Sequence, residues 1–144
     1  MSIISTITQD LLNKLKSVPA LGDRVGCTLG GTEADPTLAN MPAPFAWVIV
    51  QSSQNVDTDR PKYQRITVNY VVFLGLDYGK GESDFVDTQL TLIEDIARAV
   101  GGTEVSVPGP GRWSYEGCNW IHGDPTRAMY ALNFSAVAHY SPLN

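Results

Sequence analysis

Apolar residues at Ile4, Ile7, Leu11, Leu15 and Val18 recur at spacings of three and four, with Leu12 beside them. That stripe predicts an amphipathic helix, stopped at Pro19. Ser2 or Ser5 is the expected N-cap, and Lys14 and Lys16 suit the negative end of the helix dipole. Gly22, Gly26, Gly30 and Gly31, with Pro36, Pro42 and Pro44, then break the pattern and leave room for one short strand around residues 24–29. The whole excursion, about twenty-five residues, exceeds the ~12–15 of an ordinary structureless connection, so it has a binding task or a strand of its own.

At Phe45 the periodicity changes. Phe45-Ala46-Trp47-Val48-Ile49-Val50 is β-branched and aromatic enough for a buried strand. A polar connection over residues 52–61 leads to a long run over residues 63–76, in which Ile66, Val68, Tyr70, Val72 and Leu74 share one face. Val71 and Phe73 break the alternation, so the far end is expected to be covered on both faces. The pair reads as an antiparallel hairpin with a long tip. After turns at Gly75, Gly79 and Gly81, Ser83 is the expected cap of a second helix over residues 84–100, with Val86, Leu90, Ile93, Ala97 and Val100 as its core stripe. Gly101-Gly102 closes it. A short strand is expected around residues 104–107, then an irregular aromatic stretch over residues 108–125, then a strand over residues 127–140 in which Tyr130, Leu132, Phe134, Ala136 and Ala138 share a face. The expectation is one domain, residues 1–144, of the α+β class: a mostly antiparallel mixed sheet with two helices packed on one face.

Composition narrows the function. The net charge is −5, and charged residues make up 17% of the 144 positions, against a usual ~25%. An acidic chain lacks the basic patches that nucleic acid or an anionic membrane requires, so no specific nucleic-acid binding and no membrane partner are expected. No apolar run approaches the ~20 residues of a membrane span. Met1-Ser2-Ile3-Ile4 has no signal-peptide character, so a soluble, cytoplasmically made protein is expected. Cys27 and Cys118 read as two reduced thiols.

Catalytic chemistry is hard to find. Gly30-Gly31, Gly79-Lys80-Gly81 and Gly109-Pro110-Gly111 assemble no phosphate loop or dinucleotide fingerprint. Cys118 and His122 make one isolated pair, short of the paired spacing that zinc favours. His122-Gly123-Asp124 holds a base and a carboxylate, but before Pro125 it is equally good turn chemistry. Glu94 and Asp95 read as solvated helix charges. No catalytic residue, metal or cofactor is expected.

The order of elements is similar to that of the tail terminator (tail-completion) proteins of long-tailed bacteriophages. The residues that carry the likeness follow the N-terminal helix: Ala20-Leu21-Gly22-Asp23-Arg24-Val25-Gly26, then Pro44 to Val50, Val71-Val72-Phe73-Leu74, the helix from Val86 to Val100, and Ala128-Met129-Tyr130-Ala131-Leu132-Asn133-Phe134. The resemblance implies a structural virion protein of the tail or neck, assembled in the host cytoplasm. It implies a ring, usually of six subunits, that caps the tail tube, stops its polymerisation and joins it to the neck or head connector. Its partners would then be further copies of itself, the tail tube protein and a neck or head-completion protein, with DNA only passing through. The family has no invariant motif that assigns a residue. A head-completion or neck adaptor, and a small cytosolic enzyme with an unrecognised site, are the alternatives.

Two surfaces follow as expectations. Trp113, Tyr115 and Trp120 fall close together, and Tyr and Trp are enriched in interface cores; they serve either as a contact surface or as a cap folded back over the core. Asp57 and Asp59, at the tip between the first two long strands, are the candidate lumen loop: acidic groups there repel passing phosphates, or else are merely solvated turn residues.

Overall fold

A computed structural model describes residues 3–27, 42–56, 64–105, 111–123 and 127–140. Helix α1 (Ile3–Lys16) follows the apolar stripe and buries Ile7, Leu11 and Leu15 completely. The helix already runs at Ile3, so Ser5 lies within it rather than at its N-cap, and Ser2 lies outside the described residues. Val18 and Leu21 prolong the apolar line through the turn. Arg24 ties that turn to the sheet, donating from Nε to the Pro44 carbonyl and from Nη2 to that of Ala20, both at 2.9 Å.

Five strands follow: β1 (Val25–Cys27), β2 (Phe45–Val56), β3 (Gln64–Asp77), β4 (Gly111–Gly123) and β5 (Arg127–Tyr140), in the sheet order β1-β2-β3-β5-β4. β1 lies parallel to β2 and every other neighbour is antiparallel, so the sheet is mixed. Two expectations change here. The polar residues 52–56 continue β2 rather than opening a connection, because Asn69 to Arg65 of β3 supply ladder partners beyond a bulge at Gln51. The aromatic stretch is not irregular: its middle is β4, with prolines only outside the strand. Of the short strand expected over residues 104–107, the described part forms one bridge, Glu104 to Arg112, and residues 106 and 107 lie outside the described residues.

Helix α2 (Thr91–Val100) is entered through a helical turn, Glu82–Asp84, and a π-helical stretch, Phe85–Gln89. Gly81 precedes the turn without a side-chain cap, and Ser83 sits inside it, donating to Asp87 at 3.4 Å. The buried stripe is Phe85, Leu92, Ile96 and Val100, while Val86 is 51% exposed. The wider π turn rotates the phase by about one residue, so the aromatic ring turns inward in place of Val86. Gly102, at φ 76°, takes the left-handed conformation after the helix.

Both helices bury their stripes on one face of the sheet, against Val48, Val68, Tyr70, Val72, Leu74, Leu132, Phe134 and Ala136. The α+β class, with two helices on one side of a mixed sheet, is therefore as expected. On the opposite face Phe45, Trp47, Phe73 and Met129 form a smaller cluster. Its rings lie over glycines: a Cβ at Gly26 would collide with Trp47, and one at Gly75 with Phe45.

Candidate assembly surface

The three aromatic candidates sit on the helix-covered side of β4, but in three environments. Trp113 is 1% exposed. Its Nε1 donates to Asp10 Oδ2 at 2.8 Å, and its ring lies 5.4 Å from that of Tyr70. Asp10, itself buried, also accepts from Lys14 Nζ at 3.3 Å. Tyr70 closes this group through its hydroxyl, 2.8 Å from Thr8 Oγ1. Burial pushes the Tyr70 phenol up to about 12, with the Thr8 hydrogen bond opposing. Trp113 thus staples β4 to α1 and caps the core, so its ring is not a contact surface of the single chain.

Tyr115 is half-buried, 5.3 Å from the Phe134 ring. Burial first, and then the hydrogen bond and charge of Cys118, push its phenol up to about 12. Trp120, opposite Tyr130 in the ladder, is 61% exposed. Ile121 bulges beside it at 41% exposure, and Tyr78, at 43%, stacks edge-on against Phe85 at 4.8 Å. Of the three, Trp120 alone offers most of its surface to a partner.

The other side of the sheet has a different chemistry. Ser52, Asn69, Ser135 and Ser114 stand level across β2, β3, β5 and β4. Asn69 donates to Ser52 at 3.0 Å, and Ser135 to Glu116 at 2.7 Å. Ser135 is buried, and the other three members of the row are small, uncharged groups that can line a wet surface without gripping an anion. The proposed lumen residues Asp57 and Asp59 lie outside the described residues.

Among the described residues no group of three His, Cys, Asp or Glu side chains could hold a metal. Neither Cys27 nor Cys118 is in a disulfide. His122 is exposed, and its partner in the suggestive triplet, Asp124, lies outside the described residues. Glu94 and Asp95 are solvated as expected. No described helix is long and apolar enough to cross a membrane. Sequence reading missed Asp10: an acidic residue on the apolar side of a helix is a visible signal, but its partner lies 103 residues away.

No family model and no curated protein matches the chain. Solved structures do. A chain from the virion of a native gene transfer agent particle superposes with a TM-score of 0.61 at 11% identity, over 96% of this chain and 98% of that one. A second solved chain gives 0.57 at 13% identity, over 97% and 95%. Such likeness, over nearly the full length of both partners, establishes a shared fold.

Proposed function

We propose that this chain is a structural virion protein that works as a tail terminator: a ring, of six subunits by the family's habit, that caps the tail tube, ends its growth and joins it to the neck. The observation that carries this is the end-to-end match of fold to a chain of a gene transfer agent virion, with almost nothing left over on either side. The resemblance of element order to phage tail terminators points the same way. A binding role also suits a molecule whose largest exposed side chain is an aromatic ring on a strand.

Tube assembly in the presence and absence of the protein tests the reading. Tubes polymerised with it should stop at a defined length and show a ring at one end by electron microscopy. Overlong tubes in both samples would overturn it. A ring found on the head connector, with tube length unchanged, would replace it with the head-completion adaptor.

A further inference from the structure

We propose that successive copies of this chain join edge to edge, the outer edge of β4 in one subunit pairing antiparallel with the outer edge of β2 in the next; this rests on the ring reading above. The Trp113 N–H donates to the Thr103 carbonyl at 2.9 Å, and its own carbonyl accepts from Gly102 at 2.8 Å, so its backbone points away from β5. Alternation along the ladder, stepped by bulges at Glu116 and Ile121, turns Tyr115, Cys118 and Trp120 outward too. None of these three has an outer partner among the described residues. On the far side of the sheet, the Ala46 N–H donates outward to Arg24 at 2.9 Å and β1 covers Ala46 to Val48. Beyond it Val50 and, past the bulge at Gln51, Ser53 point outward with no backbone partner among the described residues.

The two open stretches fit each other. Val50, Tyr70, Phe134 and Tyr115 stand level across the four long strands. From that level the open part of β2 runs toward one end of the sheet and the open part of β4 toward the other. A neighbour slid along the strands by about four or six residues brings them abreast, with β1 in line beyond one and residues 103–105 in line beyond the other. Odd slides set outward groups against inward ones and turn the apolar faces over. The slide is about 14 or 20 Å across four strands spanning about 19 Å, a tilt of about 35° or 47°. Sheets that close on themselves tilt by about 35–45°. β2 and β4 run in opposite directions, so a rotation that preserves strand direction makes the junction antiparallel. The open part of β4 contains neither Pro nor Lys, the usual guards of a free edge. A two-fold pairing of β4 with itself would leave the β2 edge open, whereas unlike edges meeting generate a ring.

Disulfide trapping tests this. On a Cys27→Ser background, Cys118 with Ser53→Cys reports the four-residue slide; Cys118→Ser with Trp120→Cys and Ser53→Cys reports the six-residue slide. One of the two should give a ladder of cross-linked species, up to the full ring, on denaturing gels. A linked dimer formed by Cys118 alone, without Ser53→Cys, would overturn the pairing in favour of the two-fold contact. Rings seen by light scattering that trap neither link would also overturn it, while leaving the ring reading intact; a monomer at every concentration, with or without tube, would end both. As a second probe, Cys118→Pro removes an outward N–H without taking a donor from the β4–β5 ladder. Assembly should be lost with the circular dichroism unchanged, and unimpaired assembly would overturn the proposal.

Discussion

Asp10 lies 6% exposed on a helix face otherwise made of isoleucine and leucine, which is tolerable because both carboxylate oxygens are occupied, one by the Trp113 indole and one by Lys14. Asp10→Ala leaves the indole N–H buried without an acceptor and should cost about 1–3 kcal/mol in urea denaturation. Asp10→Asn keeps one acceptor and should cost less; equal losses would show that charge, not the hydrogen bond, matters. Trp113→Ala empties a core site and should cost about 3–5 kcal/mol. Tyr70, next to this group, is neutral in the fold well above the ordinary phenol range. A folded pKa raised above the unfolded value gives stability that is complete below about pH 10 and is lost as pH climbs through about 12. Thermal midpoints should therefore fall over that window, and fall less steeply in Tyr70→Phe.

The elements carry their irregularities where pairing demands them. Gly117, at φ 120° beside the Glu116 bulge, occupies a conformation that a side chain resists, although a Cβ there would meet open space. Gly117→Ala should thus cost about 1–3 kcal/mol from backbone strain alone. A neutral result in thermal denaturation would mean that the bulge relaxes. The π stretch before α2 has a comparable role: it sets Phe85 against the core and leaves Val86 in solvent.

For the whole molecule, stability and assembly separate along one strand. Trp113 at one end of β4 belongs to the core, and Trp120 near the other belongs to the surface. Trp120→Ala should change the stability of the single chain by no more than about 0.5 kcal/mol. In light scattering it should weaken assembly. Full assembly by Trp120→Ala would remove this ring from the interface. The helices occupy one side of the sheet, and the row of Ser52, Asn69, Ser135 and Ser114 the other. A ring closed with its helices outward would present these small neutral groups to its channel.

Local periodicity was enough for much of this protein. Hydrophobic spacing alone determined α1, the faces of β3 and β5, and the α+β class, because a stripe of one period has one way to be buried. Arg112, Ser114 and Glu116 alternating with Trp113 and Tyr115 held a signal for β4 as well, hidden by the prolines on either side. Other features depended on partners far along the chain. The continuation of β2 through Ser52 and Ser53 required β3 beside it, and the inward turn of Phe85 required a π stretch that no residue type announces. The split between Trp113 and Trp120 was set by where α1 ends up over the sheet. Two tryptophans on one side of a strand are equivalent in sequence; only the tertiary structure puts a buried carboxylate beside the first and leaves the second in water.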